Sequence, residues 1–192
     1  MKKILPFSLT AFIILVDQAV KTFIAQHWRL SPSGGVFIKD VFGNDLLWIV
    51  HVRNKAIAFS LGEELPDAVR PVLFIILPLV ALAAVIWYYF KSSAFTRLQR
   101  WAVAGIIGGG LGNLIDRIFR PDGVVDFISV KFFGLFGLDR WPTFNIADAS
   151  VVVCCIILLL SILVDKRDVQ PNQESQKCRM GQKKEKCREQ KT

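Results

Sequence analysis

The chain has 192 residues, of which 53% are hydrophobic and 21% are charged, and its formal net charge is +8. This apolar content is above that of an ordinary soluble domain and argues against a soluble globule. Four cysteines are too few for a disulfide scaffold. Residues 165–192 carry nine Lys/Arg and five Asp/Glu, which is half of the net charge, so the basic character does not indicate nucleic-acid binding.

Four stretches have the length and apolar content of bilayer-spanning helices. In chain order they are residues 4–25, 69–90, 101 to about 119, and about 148–164. The first stretch follows Lys2 and Lys3, as the apolar region of a signal peptide would. However, Asp17, Gln18 and Lys21 interrupt it and no small-residue cleavage site follows, so we interpret it as a span.

Basic residues flank these spans before the first, between the second and third, and after the fourth. They are Lys2, Lys3, Lys91, Arg97, Arg100, Lys166 and Arg167. The positive-inside rule then predicts that both termini are cytoplasmic and that the loops of about 26–68 and 120–147 are external. Residues 1–165 form one predicted membrane domain, and 166–192 are too polar to pack and are predicted to be a disordered, basic cytoplasmic tail.

The first external loop contains one strand-like segment. Residues 46–52 are rich in β-branched and aromatic side chains, and a Ser-Pro-Ser-Gly-Gly turn precedes them at 31–35. This pattern predicts a short strand or hairpin on the membrane surface.

Polar residues recur at matched depths in three spans. A rise of about 1.5 Å per residue places Asp17 about 20 Å above the cytoplasmic end of its span, Asn113 and Asp116 at about 18 and 22 Å, and Asp148 at about 24 Å. A charge near mid-bilayer costs at least about 2.5 to 3.5 kcal/mol. The residues therefore predict one shared polar site in the outer third of the membrane.

Two charge pairs are predicted within this site. Lys21 follows Asp17 by one helical turn and is expected to pair with it. Asn113, Asp116 and Arg117 share a helix face by their spacing, and Gly108 and Gly112 allow close helix contact beside them. Because neither Asp116 nor Arg117 can face lipid, we interpret them as an internal ion pair that braces the site.

Asp126 and Asp148 differ, because their sequence neighbours are apolar and supply no cation. Apolar surroundings raise the pKa of a carboxyl group, and two carboxyls in one pocket would share a proton, as in aspartic peptidases. A pair of membrane aspartates could equally bind a cation or relay protons, so the residues alone leave hydrolysis, transport and a structural role open. No P-loop or His-Glu-x-x-His motif is present.

Five blocks together resemble bacterial lipoprotein signal peptidase (signal peptidase II), over residues of about 13 to 165. They are Asp17-Gln18-x-x-Lys21, Arg53-Asn54-x-x-x-Ala58-Phe59, Gly109-x-Leu111-Gly112-Asn113-Leu114-Ile115-Asp116-Arg117, Val124-Val125-Asp126-Phe127 and Phe144-Asn145-Ile146-Ala147-Asp148. The resemblance implies an all-α, four-helix membrane protein with a small external β-cradle and an interfacial helix. It also implies an aspartic endopeptidase of the bacterial inner membrane, active at the periplasmic face, that cleaves prolipoproteins just before the diacylglyceryl-modified cysteine.

The same resemblance implies residue roles. Asp126 and Asp148 match the catalytic pair. The positions that line or brace the pocket are matched by Asp17, Lys21, Asn54, Asn113, Asp116, Arg117, Asn145 and Ala147. One position departs, because Ala56 stands where the family usually has glycine. The expected partners are diacylglyceryl-modified prolipoproteins and the lipid bilayer, with no nucleic acid, no metal and no cofactor, and the enzyme is expected to be a monomer.

The alternative function is a proton- or cation-coupled transporter, which needs a polar path to the cytoplasmic side. The inner halves of the first and fourth spans argue against it. They contain no Asp, Glu, Lys, Arg, Asn or Gln in residues 5–15 and 154–163.

Overall fold

The structure is a computed structural model that describes residues 3–30, 35–54, 66 and 69–165. Four of its helices are long and apolar enough to cross a membrane, which confirms the four predicted spans. They are α1 (Phe7–His27), α2 (Val72–Lys91), α3 (Arg97–Phe119) and α4 (Ile146–Asp165). Helices of 20 to 23 residues are about 30 to 35 Å long, which matches the hydrocarbon core of a bilayer.

Helix α3 is the central helix of the bundle, and 56% of its apolar stretch is buried, against 28% or less in the other three. Its glycines make this possible. A Cβ on Gly108 would lie 3.1 Å from the Cα of Thr10 in α1, and a Cβ on Gly112 would lie 3.0 Å from Asp17 Oδ2 and 3.1 Å from Ala147 Cβ. Close helix contact at these two glycines is therefore confirmed.

Helix α3 begins earlier than hydropathy alone indicates. Thr96 is its N-cap, and a capping box joins Gln99 N to Thr96 Oγ1 at 3.3 Å and Thr96 N to Gln99 Oε1 at 3.1 Å. The capping box satisfies two backbone N–H groups at the polar first turn. The predicted start at residue 101 was wrong by four residues for this reason.

A three-stranded antiparallel sheet lies at one end of the bundle, in the order β1 (Gly35–Asp40), β2 (Leu47–Asn54), β3 (Val124–Val130). The strand predicted within residues 46–52 is β2, and β1, with which it forms a hairpin, was not predicted. The third strand comes from the other connecting segment, and it aligns Val52 with Asp126 and Asn54 with Val124. The sheet therefore joins the two segments that the sequence places outside.

The apolar face of the sheet packs on the helix ends. Ile24 of α1 and the β3 residues Val125 and Phe127 form a buried cluster that also includes Val20, Trp28, Ile38, Ile49, Ile128 and Ile146. Since the cluster includes residues from the end of α1 and the start of α4, the sheet extends across the ends of these helices. We call this end of the bundle the site end.

The remaining expectations fall partly outside the described residues. The segment between β3 and α4 contains a one-turn 3-10 helix, Leu135–Gly137. Residues 55–65, which include Ala56, and the tail 166–192 are not among those described. The expectations for Ala56 and for the tail stay predictions.

Candidate active site

The structure brings all ten predicted site residues into one connected cluster at the site end. Hydrogen bonds and ion pairs link them through side chains, three backbone N–H groups and one backbone carbonyl. They are Asp17, Lys21, Asn54, Asn113, Asp116, Arg117, Asp126, Asn145, Ala147 and Asp148.

The carboxyl pair Asp126 and Asp148, called the dyad below, is held by amide groups. Asp126 is 2% exposed, and its oxygens accept from Asn54 Nδ2 at 3.1 Å and from Asn145 Nδ2 at 2.7 Å. Asp148 accepts from Asn113 Nδ2 at 2.7 Å and from the backbone N–H of Asn145 at 3.1 Å. Asn145 therefore contacts both acids, one through its side chain and one through its backbone.

The start of α4 fixes the position of Asp148. Asn145 precedes the first helical residue, and its Oδ1 accepts from the Asp148 N–H at 3.0 Å while Asp148 accepts from the Asn145 N–H. This reciprocal pair is a capping box with an aspartate in the third helical position. The capping box at the start of α4 thus orients Asp148, one acid of the dyad.

The environment of Asp126 favours a shared proton. Burial and the negative charge of Asp148 together raise the pKa of Asp126 to about 6, while hydrogen bonds from Asn54 and Asn145 oppose the rise. The direction agrees with the expectation for a carboxyl among apolar neighbours. A carboxyl with this pKa exchanges its proton near neutral pH, as general acid–base catalysis requires.

Lys21 connects three polar groups from the helix bundle. Its ammonium is fully buried and lies 2.8 Å from Asp17 Oδ2, 3.0 Å from Asp116 Oδ2 and 3.0 Å from Asn113 Oδ1. These three acceptors use all three ammonium donors. Because Asn113 presents its oxygen to Lys21, its Nδ2 is left to donate to Asp148. The predicted Asp17–Lys21 pair is confirmed.

Asp17 also binds the start of α4, because its Oδ1 accepts from the Ala147 N–H at 3.0 Å. This N–H is one of the groups at a helix N-terminus that have no partner within the helix. Ala147 therefore contributes its backbone to the site, and its small side chain fits against Gly112 of α3.

The predicted Asp116–Arg117 ion pair is wrong. Asp116 instead accepts from Lys21, from Gln18 Nε2 at 2.9 Å and from the Val125 N–H at 3.3 Å, and Arg120 Nε lies 3.3 Å away. Consecutive residues on a helix point about 100° apart, so residues i and i+1 do not face each other. The bracing role of Asp116 is kept, with Lys21 and Arg120 as its cations.

Arg117 faces the dyad instead. Its guanidinium donates at 3.4 Å to the carbonyl of Asn113, whose side chain binds Asp148, and it lines a cleft together with Asn54, which binds Asp126. Arg117 is therefore a cation near the dyad. Among the described residues, neither Asp126 nor Asp148 has a direct ion pair.

Sequence reasoning missed Arg120 and Gln18 as site residues. Arg120 follows Asp116 at i+4, with the acid nearer the N-terminus, which is the favourable order on a helix. Arg120 also donates to Gln18 Oε1 at 3.3 Å and to Thr22 Oγ1 at 3.0 Å. The i, i+4 spacing was available in the sequence, but the predicted loop began at residue 120.

A cleft of about 230 Å³ opens beside the dyad. Asn54 and Arg117 line it on the dyad side, and residues from the start of α2 line its apolar side. The other lining residues are Arg70, Pro71, Phe74, Ile75, Arg120, Pro121 and Gly123. Among the described residues, no group of three or more His, Cys, Asp or Glu side chains could hold a metal ion. Neither acid of the dyad lines this cleft, and Asn54, which donates to Asp126, connects the two.

Comparison with known proteins identifies relatives over most of the chain. The family described as Signal peptidase (SPase) II matches residues 9–164. The chain is 42% identical over 168 residues to the lipoprotein signal peptidase of Treponema pallidum, which covers 88% of each chain. It is 46% identical over 160 residues to that of Treponema denticola, covering 83% of this chain and 89% of the relative.

A solved bacterial membrane enzyme, determined by the in meso method at 2.3 Å resolution, has a similar fold. The TM-score is 0.69 at 27% identity, and the match covers 85% of this chain and 90% of the other. The chain therefore belongs to the signal peptidase II family, and it is a multi-pass membrane peptidase that removes signal peptides from lipoprotein precursors.

Proposed function

We propose that this chain is an aspartic endopeptidase that cleaves a prolipoprotein just before the cysteine that carries the diacylglyceryl group. The dyad is the observation that carries the proposal. Asn145 donates from Nδ2 to Asp126 of β3 at 2.7 Å and from its backbone N–H to Asp148 of α4 at 3.1 Å. This arrangement is suited to water activation without a metal or cofactor.

The two acids take different roles in the first step. Asp148 lies in the first turn of α4, where the helix dipole favours negative charge, so it is the base that removes a proton from water. Asp126, whose pKa is about 6, carries the shared proton and gives it to the scissile carbonyl oxygen. The water oxygen then bonds to the carbonyl carbon and forms a tetrahedral intermediate.

The second step breaks the peptide bond. The proton held by Asp148 passes to the leaving nitrogen of the modified cysteine, the C–N bond breaks, and the intermediate returns its hydroxyl proton to Asp126. One water is consumed, and the acids end in their starting protonation states. Arg117 lies beside the dyad and stabilises the negative charge that develops there during these transfers.

The position of the site suits a lipid-bound substrate. Asp148 is the third residue of α4 and Asp116 the fourth from the end of α3, so both lie within about one turn of the membrane interface. Lys91 and Arg97 lie at the opposite helix ends, which supports cytoplasmic termini and a periplasmic site in the bacterial inner membrane. A modified cysteine with its acyl chains in the outer leaflet reaches this depth by lateral diffusion in the bilayer. All site residues come from one chain, so a monomer is sufficient for catalysis.

The deciding experiment uses purified protein in detergent and one prolipoprotein prepared with and without the diacylglyceryl group. We expect cleavage only of the modified form, with the released peptide ending at the residue before the cysteine by mass spectrometry. Equal cleavage of both forms would contradict the substrate assignment. Loss of activity on adding a chelator would contradict the metal-independent mechanism.

A further inference from the structure

The segment between β3 and α4 ends in an exposed apolar turn. Residues 133–137, called the aromatic tip below, carry Phe133, Leu135 and Phe136, which are 75%, 54% and 85% exposed. A Cβ placed on Gly134 would meet no atom within 4 Å. The tip therefore projects away from the rest of the described protein.

The base of the tip is held firmly to the sheet. The Phe132 N–H donates to the Asp139 carbonyl at 2.7 Å. Arg140 donates to Ser129 Oγ and to its carbonyl, both at 2.8 Å, and its guanidinium lies 3.7 Å from the centre of the Trp48 ring. The tip is thus an ordered extension of the sheet, and its apolar side chains are held outward by structure.

The backbone of the tip is unfavourable for the residues that occupy it. Phe133 and Phe136 have φ of 54° and 55°, in the left-handed region that bulky residues rarely adopt. Water is a poor environment for the tip because large aromatic rings are exposed, and the backbone is strained in addition. A site of backbone strain combined with apolar exposure indicates a binding function.

A second apolar turn lies beside the tip. The turn between β1 and β2 exposes Val41, Phe42 and Leu46. The Lys131 N–H donates to the Leu46 carbonyl at 2.9 Å, which joins this turn to the base of the tip. The two turns form a continuous apolar rim at one end of the sheet.

The sheet carries this rim away from the active site. Its apolar face packs on the ends of α1 and α4, and β3 passes the site at Asp126. From Asp126 to Phe133 the chain advances seven residues, so the tip lies up to about 23 Å from Asp126. A rim at this distance, on a sheet that covers the helix ends, is within reach of the membrane surface.

Charge at the base of the tip matches a phospholipid surface. Lys131 Nζ lies 5.9 Å from the centre of the Phe133 ring. An aromatic ring beside a lysine is typical of interfacial anchors, in which the ring enters the acyl region and the ammonium reaches the phosphates.

We propose that the aromatic tip inserts into the bilayer leaflet on the active-site side and holds the sheet against the membrane, with Lys131 at the lipid phosphates. The proposal concerns lipid contact and does not depend on the peptidase chemistry.

The test is site-specific photocrosslinking in nanodiscs of phosphatidylethanolamine and phosphatidylglycerol. The photoreactive residue p-benzoylphenylalanine is placed at position 136, or at position 139 as the control, where Asp139 is exposed on the same segment. After irradiation, mass spectrometry of the tip peptide identifies what is attached. We expect phospholipid adducts several-fold more abundant at 136 than at 139.

Two outcomes overturn the proposal. Adducts to a second copy of the chain would assign the tip to a protein interface, and lipid adducts no more abundant than at 139 would leave the tip in water. A repeat with the photoreactive residue at position 133 keeps the test decisive if the first variant does not fold. None of these readouts requires cleavage, so a failed peptidase assay is distinguishable from a failed insertion.

Discussion

The site contains two pairs of acids that differ in the partners that hold them. Asp17 and Asp116 share the Lys21 ammonium at 2.8 and 3.0 Å. Asp126 and Asp148 receive mainly neutral amide donors from Asn54, Asn113 and Asn145.

These different partners indicate a structural role for the first pair and a catalytic role for the second. An acid in direct contact with a buried ammonium is held in place by that contact, so it serves as a fixed tie between helices. Neutral donors orient a carboxyl without fixing its charge, so the dyad is free to exchange protons. The polar cluster thus divides into a brace around Lys21 and a reactive pair around Asn145.

The largest effect is expected at the reactive pair. Asp126→Asn or Asp148→Asn should lower turnover by at least about 10³-fold, because each acid transfers a proton. Neither variant should be destabilised by more than about 1 to 3 kcal/mol, since the amide keeps the shape and one of the two hydrogen bonds that each acid accepts, and Asp126→Asn also lacks the loss of stability above pH 6 described below. Turnover and thermal unfolding are measured for both, with Asp139→Asn as the matched surface control. Substantial activity in either variant would move the chemistry to another acid.

A substitution in the brace should mainly lower the free energy of unfolding. Lys21→Met leaves Asp17 without a cation and Asp116 with only the partly exposed Arg120, at a cost of about 3 to 5 kcal/mol for a well-buried pair. Thermal unfolding in detergent should shift far to lower temperature, and activity should fall with it. Lys39→Met on exposed β1 is the control. A stable but inactive Lys21→Met protein would show that Lys21 belongs to the chemistry.

The raised pKa of Asp126 predicts that the free energy of unfolding depends on pH. Its folded pKa of about 6 lies above the ordinary value of 3.8, so the folded state holds more protons between these values. Stability from this group is therefore present at low pH and is lost as pH rises from about 4 to about 6, by up to about 3 kcal/mol.

Two measurements check this prediction. The unfolding free energy is followed against pH for the parent and for Asp126→Asn, which should lack this loss. The kcat/KM profile of the parent should decline on the alkaline side with an apparent pKa near 6, a value that belongs to the pair rather than to one residue. Profiles that coincide for parent and variant would contradict the assignment.

Substitutions of two neighbouring arginines should distinguish the brace from the dyad, with the smallest expected effects. Arg117→Gln should lower turnover by about 10²-fold with little loss of stability, because Arg117 is drawn to the dyad. Arg120→Gln should lower stability by about 1 kcal/mol or less and leave most turnover, because its pair with Asp116 is partly exposed. Both are measured in the same turnover and unfolding assays. Reversed effects would restore the Asp116–Arg117 pair that the structure contradicts.

Sequence patterns predicted those parts of the molecule that depend on local spacing and composition. The four spans follow from apolar length, the Asp17–Lys21 pair from i, i+4 spacing, and strand β2 from one β-branched run. Asn145 and Ala147 were identified only through family resemblance, because their roles depend on backbone contacts that composition does not encode.

The missed features depend on the tertiary fold. Hydropathy placed the starts of α3 and α4 too late, because their first turns carry the polar capping residues Thr96 and Asn145. The pairing of β3 with β2 joins segments about 75 residues apart, and no local pattern selects that partner. Asp116 reached Lys21 rather than Arg117 because the contact runs between helices.

The capping box at Asn145 and Asp148 makes the start of α4 and the formation of the dyad one event. Asp17 of α1 accepts from the same helix start through the Ala147 N–H. The first and fourth spans must therefore both be in the membrane before the acids reach their positions. During membrane insertion, the nascent chain would carry no complete proteolytic centre until its fourth span has docked, so proteolytic activity begins only when biogenesis of the bundle is complete.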